Sequence, residues 1–257
     1  MNPIRNGNFT SSEIVALTTN GKAIGSWGKP AFTYIEECNM ERRLGMALEN
    51  EIDAKPTSWG KLIEKRPFDQ LSTAYHLCSD ETLSHPSIDF WKGSPDVKKF
   101  ARVALVAIGD LKCPMTRKSF CQLLDPYYEN GNLVYEGQTI EAVRANHQQG
   151  EKYYWQIVSN VIIAAAIAGV DPCTIKGELI VYMPYKSELD EIRELASSAG
   201  ESGEYTKWIY FANDDQLPNI IEGKHYKSVN VIEFDIPRAD VFFIAERVNE
   251  AGKLLNP

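Results

Sequence analysis

The sequence predicts an α/β protein of one domain, with a central mixed β-sheet flanked by helices. Helical and strand-like patterns are interleaved along all 257 residues, with no internal repeat, low-complexity tract or long linker between them. Two strand-like runs, "SIDFWKG" and "ARVALVAIGDLKC", follow one another as a hairpin does, so the sheet is at least partly antiparallel. A helix and then the β-rich run "TIKGELIVYMP" come after them, which makes the sheet mixed rather than purely parallel.

The elements follow in order. The first part, about 1–80, reads as mostly helical. "SSEIVALTT" opens on Ser12 in the manner of a capping box, and "AFTYIEECNMERRLGMALE" places Ile35, Cys38, Met40 and Leu44 near helical spacing. "TSWGKLIEKRPFDQL" is punctuated by Gly and Trp and reads as a loop leading into a helix that holds Glu64. The core, about 81–185, begins with the hairpin, whose connection includes Ser94 to Lys99. A short helix after Pro114, a connector through "NGNLVYEG", and helices at about Thr139–His147 and Glu151–Ala168 come next. The last part, about 186–257, is a C-terminal elaboration: "SELDEIRELA" as a helix, "WIYFA", the strand-like "SVNVIEFDI" and a helix from Pro237.

Composition sets outer limits. At 44% hydrophobic and 24% charged, the chain suits a water-soluble enzyme with a sizeable core. "IVSNVIIAAAIAGV" is too short and too polar to span a bilayer, and the N-terminus carries no hydrophobic signal core, so the expected location is the cytoplasm, with no membrane partner. Five cysteines without a CxxC pair argue against disulfides and thiolate zinc. A net charge of −8 does not announce a nucleic-acid partner, although basic residues can be confined to one channel.

The chemistry concentrates in "GSPDVKKFARVALVAIGDLKCP". Asp110 and Lys112 lie two apart at the end of an apolar strand and therefore on one face, where charge is costly without a partner. Asp96 comes close if the hairpin folds back. Two carboxylates converging with a backbone carbonyl offer hard oxygen ligands of the kind Mg²⁺ or Mn²⁺ takes. A lysine beside them holds or deprotonates an attacking water and stabilises a pentavalent phosphate, with the metal keeping its pKa low enough for base work. Together these parts describe phosphodiester hydrolysis. A D-x-K string alone is weak, and its plain alternative is an ion pair at a strand end.

The full string is more specific. "SPD", thirteen intervening residues, "DLKCP" and Thr116 resemble the PD-(D/E)XK nuclease signature, and the ending is similar to the lambda-exonuclease-like viral recombination nucleases. "WGKLIE" is similar to that family's G-x-x-x-E helix, which places an acid at Glu64. "EKYYWQIVSNVIIAAAIAGVD" resembles its glutamine-bearing helix, which places the amide at Gln156. Arg5, seven residues before Ser12, matches an arginine–serine spacing that holds a DNA 5′-phosphate in the family. Matches run from about residue 5 to 183. The chain departs from the family in having Asp110 where glutamate is usual, Val158 where a second glutamine is common, and "VKKF" where glycine is common after Asp96.

The resemblance implies a restriction-endonuclease-like core and a metal-dependent DNA exonuclease. Asp96, Asp110, the Leu111 carbonyl and Glu64 would hold one or two Mg²⁺ ions, with Mn²⁺ able to substitute. Lys112 and Gln156 would serve the attacking water, and Arg5, Ser12 and Lys118 the DNA. The implied substrate is a double-stranded DNA end digested 5′ to 3′, leaving a 3′ overhang for a single-strand annealing protein, and family members act as toroidal homotrimers. A structure-specific or restriction or Cas4-like endonuclease and a non-catalytic DNA-end-binding protein are the alternatives; no cysteine quartet supports an iron–sulfur Cas4 type. Structural alternatives stay open for single residues: Glu64 as a solvated carboxylate, Gln156 bonded to a buried backbone group, Ser12 as an N-cap. Lys98, Lys99 and Arg117 flank the motif as further phosphate contacts or solvated charges. Trp59, His85, Tyr153, Tyr154 and Trp155 read chiefly as core or turn residues.

Overall fold

The computed structural model describes residues 6–23, 26–48, 54–78, 81–201 and 205–256. The chain opens with a short strand, β1 (Phe9–Thr10), and a 3-10 turn over Ile14–Thr18. Ser12 does not cap this turn: Glu13 holds the cap position, without a side-chain bond. β-branched Ile14, Val15 and Thr18 disfavour a longer helix here. Helix α1 (Lys29–Leu44) starts with a proline in its first turn and stops at Gly45, whose φ of 69° is the left-handed cap conformation. Its buried face is Ala31, Ile35, Cys38 and Asn39, whereas Met40 and Leu44, expected on that face, are exposed. Helix α2 (Lys55–Ile63) begins earlier than the sequence suggested, and Glu64 is its C-cap rather than an interior residue.

Strands β2 (Tyr75–Leu77), β3 (Leu83–His85), β4 (Ile88–Gly93), β5 (Val97–Ala101) and β6 (Ala104–Lys112) follow. The hairpin is not the expected one. β4 joins β1 and β3 in a three-stranded sheet, and part of the stretch read as a connection, Val97 to Lys99, belongs to the strand that pairs with β6. Pro95 separates β4 from β5, and the chain reverses at Arg102, held at φ 57°.

After α3 (Arg117–Leu124), the expected connector forms a small hairpin, β7 (Tyr127–Glu129) with β8 (Asn132–Tyr135). Then come α4 (Ile140–Asn146), α5 (Gly150–Ala168), β9 (Lys176–Tyr182), α6 (Leu189–Glu201), α7 (Lys207–Tyr210), β10 (Val229–Phe234) and α8 (Arg238–Gly252). The main sheet runs β10-β9-β6-β5-β2; β6 and β9 are parallel and the other pairs antiparallel, so the sheet is mixed, as expected. The C-terminal stretch supplies one edge strand of this sheet.

Helix α5 is buried on nearly every side because its run from Ile157 to Ala165 is almost wholly apolar. It packs Ile157, Val161 and Ile163 into a core shared with Ile108 of β6, Leu179 and Val181 of β9, and Ile244 and Val248 of α8. Burying each such side chain contributes about 1.5–3 kcal/mol. A second cluster joins α2 to α6 through Trp59, Ile63, Tyr182 and Ile192; a third, Tyr75, Val97, Leu111 and Ile180, covers the opposite face of the sheet. All five cysteines are free, and among the described residues no helix is long and apolar enough to cross a membrane.

Candidate active site

The site forms where β5 begins and β6 ends. Gly109 allows the two strands their close approach: a Cβ there would lie 2.6 Å from Val97 Cγ2. The ladder between the strands stops at the Val97–Gly109 pair. One residue before it, Asp96 takes over with its side chain, Oδ2 accepting the Leu111 N–H at 2.6 Å. Strand N–H and C=O groups of one residue point to the same side, so the Leu111 carbonyl lies on the same open edge as the Asp96 carboxyl.

Asp110 is buried, with 1% of its side chain exposed. Its Oδ1 accepts a 2.6 Å hydrogen bond from Gln156 Nε2 of α5, and its Oδ2 lies 2.5 Å from the Lys112 ammonium. Oδ2 is thus buried against that ammonium. Asp96, Asp110, Lys112 and Gln156 are therefore brought together from three separate stretches of chain.

Burial pushes the Asp96 carboxyl up to about 7, the Asp110 charge adds to the rise, and Glu64 contributes a smaller share. Burial pulls Lys112 down, but the charges of Asp110 and Asp96 outweigh it and hold the ammonium above its ordinary range. With these neighbours alone the lysine carries its proton.

The acids are not equally placed. Glu64 lies near enough for its charge to act on Asp96 and Cys113, yet it is exposed at the end of α2. Among the described residues no three His, Cys, Asp or Glu side chains gather closely enough to hold a metal. The donors in place are two carboxylates and one carbonyl. Two buried carboxylates side by side, with the Asp96 carboxyl raised by burial and by the Asp110 charge, are what a hard divalent cation would complete.

The remaining residues sort clearly. Arg5 lies outside the described residues. Ser12 lines a cleft of about 700 Å³ with Thr10 and Tyr34, its Oγ 3.2 Å from Thr10 Oγ1. Lys98 pairs with Glu81 at 2.7 Å, and Lys99 with Glu178 at 2.7 Å on the face opposite Asp110. Arg117 donates to the Asn219 and Leu217 carbonyls. Only Lys118 of these four cations has no ion pair or hydrogen bond among the described residues. Trp59 is core, and His85 stacks on Trp91. Tyr153 is more than packing, because its ring carries the Lys112 ammonium 4.9 Å from its centroid. Ser11, passed over in favour of Ser12, is the serine that fastens β1 to α5, with Oγ 2.8 Å from Ser159 Oγ.

The comparisons with known proteins bear on the fold. The structure is similar to that of LHK-Exo in complex with dAMP, at 16% identity and a TM-score of 0.54, covering 98% of this chain and 90% of that one. The chain shares an exonuclease fold. An alkaline exonuclease, LHK-Exo from Laribacter hongkongensis, aligns at 16% identity and TM-score 0.51 over 97% of this chain and 89% of that one. A phage-related exonuclease from Haemophilus somnus 129PT aligns at 13% identity and TM-score 0.56 over 96% and 93%. No protein-family model and no curated protein sequence matches. The fold agrees with the lambda-exonuclease-like PD-(D/E)XK resemblance drawn from the motifs.

Proposed function

We propose that this protein is a divalent-metal-dependent DNA exonuclease of the lambda-exonuclease-like PD-(D/E)XK kind. The observation that carries the reading is the convergence of Asp96, Asp110, Lys112 and Gln156 at one strand end, inside a fold shared with exonucleases.

Asp96, Asp110 and the Leu111 carbonyl would hold Mg²⁺, with Glu64 acting on it from a greater distance. When bound, the ion would polarise the scissile phosphate and acidify a water. The chain's own residues do the rest. Gln156 fixes the Asp110 carboxylate through Oδ1, with Oδ2 turned to Lys112. Lys112 directs its N–H groups toward the attacking water and the phosphate oxygens, where they offset charge that grows in the transition state. The Tyr153 ring limits where the ammonium can swing. The substrate would be a duplex end, degraded 5′ to 3′ to leave a 3′ overhang for a single-strand annealing protein. Arg5, Ser12 and Lys118 would hold the DNA, and a homotrimeric ring would make digestion processive.

The test is to incubate purified protein with linear 5′-phosphorylated, linear 5′-hydroxyl and closed circular duplexes, with Mg²⁺ or a chelator. Loss of linear DNA alone, only with Mg²⁺, is the expected result. Degraded circles would make it an endonuclease, and inertness toward every substrate would make it a binding protein.

A further inference from the structure

A cleft of about 610 Å³ opens between α3 and the junction of α4 with α5, lined by Thr116, Lys118, Ser119, Gln122, His147 and Gln148 among others. On its rim Arg144 and Glu151 neutralise each other, Nε to Oε1 at 2.8 Å. The charge left over is that of Lys118, so the cleft is polar and net positive.

Its inner wall is His147, only 6% exposed. His147 Nδ1 accepts the Gln149 backbone N–H at 3.1 Å, which puts the ring proton on Nε2. Nε2 lies 2.7 Å from Ser119 Oγ and must donate to it. The hydroxyl of Ser119, already an acceptor, is left with its own proton to give, and the cleft is where it can give it. A neutral donor and an unpaired ammonium on adjacent residues suit an anionic oxygen.

The cleft also lies close to the catalytic lysine. The His147 ring stacks on Tyr153, centroids 5.5 Å apart at 24°, and Tyr153 in turn carries Lys112. One aromatic layer separates the two.

Resting on the nuclease reading, we propose that this cleft binds a backbone phosphodiester of the DNA strand near the scissile one, through Ser119 and Lys118, with His147 as the residue that positions Ser119. The ligand is the polymer's phosphate, rather than the released nucleotide.

Steady-state cleavage by parent, Ser119→Ala, His147→Phe and His147→Gln tests this, using duplexes with a single neutral methylphosphonate placed at successive linkages near the cut. Ser119→Ala should raise KM by about ten-fold or more with kcat little changed, the weight of one hydrogen bond to a charged group. His147→Phe keeps a ring on Tyr153 but loses the donor, and should behave alike; His147→Gln retains an N–H and should recover most of the loss. One methylphosphonate position should raise KM in the parent and have no further effect in Ser119→Ala. Lys118→Ala should lower the slope of log Kd against log salt by about one, which Ser119→Ala should not do. Unchanged KM in both Ser119→Ala and His147→Phe, or no methylphosphonate position coupled to Ser119, overturns the proposal. So does a Ser119→Ala variant that resists inhibition by a deoxynucleoside monophosphate while keeping the parental KM for DNA. A parent that cleaves no DNA at all defeats the nuclease reading instead, so the two failures are told apart.

Discussion

Replacing Asp96 with asparagine should make the metal-free protein more stable above neutral pH while abolishing cleavage. Burial, and then the charge of Asp110, push the Asp96 carboxyl from 3.8 up to about 7. Below the ordinary value the group is protonated whether the chain is folded or not, and folding gains fully from its neutral form. As pH rises toward about 7 the unfolded chain ionises while the folded one keeps its proton, so stability is lost across that interval and is flat beyond it. The span from 3.8 to about 7, at ~1.36 kcal/mol per pH unit, sets an upper bound of ~4 kcal/mol. Water at the open edge reduces this, so roughly 2–4 kcal/mol is expected. Asparagine keeps a carbonyl oxygen for the Leu111 N–H, so the change removes charge without removing the bond. Urea unfolding with chelator, from about pH 4 to about pH 8, measures the difference. The parent's stability should fall over that range relative to the variant's, and Mg²⁺ should restore the parent alone, because only the parent binds it well. Parallel stability–pH curves for the two proteins would refute the reasoning.

Lys112→Ala should lower cleavage by about 10²–10³-fold, comparable with loss of a principal transition-state donor, yet leave Mn²⁺ binding largely intact in a calorimetric titration. Asp110→Ala should lose both, and normal hydrolysis by Lys112→Ala would remove the lysine from the chemistry. Lys99→Ala strands the buried Glu178 carboxylate and should cost about 3–5 kcal/mol in urea unfolding, most of it recovered when Glu178→Leu is added to Lys99→Met. Arg102→Gly relieves a left-handed backbone and should raise stability by about 0.5–1 kcal/mol; a loss of stability would show that the Arg102 side chain matters more than its φ.

How much of this was legible in the sequence depends on how local each signal is. Asp110 and Lys112 share a face by strand alternation, and the apolar run before them marks the strand, so both could be read without coordinates. Strand β5 could not. Its "VKKFA" carries two lysines where a core strand usually carries apolar residues, and its turn lacks the glycine or asparagine that signals a tight hairpin. The lysines belong there because Glu81 and Glu178 meet them, partners seventeen and seventy-nine residues away. Helix α2 did offer a local sign, Pro56 in its first turn, which a reading that treated the segment as a loop passed over. The Ser119–His147 pair has no local sign at all, since its members lie 28 residues apart on different elements.

The two faces of β6 explain why Asp110 and Lys112 can be placed so firmly. Ile108, Asp110 and Lys112 project toward α5, where Gln156 meets Asp110. Ala107, Gly109 and Leu111 project the other way, and the first two are small. Lys99, level with Ala107 on β5, reaches across that low ground to Glu178, level with Gly109 on β9. The ion pair thus straps β5 and β9 together over the back of β6. A larger residue at Ala107 or Gly109 would block the strap, and a slip of one residue in β6 would turn Asp110 and Lys112 onto this face, against Glu178. The charges behind the strand therefore penalise the register error that would turn Asp110 and Lys112 to the wrong side. On this argument Ala107→Val should loosen the Lys99–Glu178 contact and reduce kcat more than it reduces DNA affinity. Equal losses in both would show that it acts on folding alone.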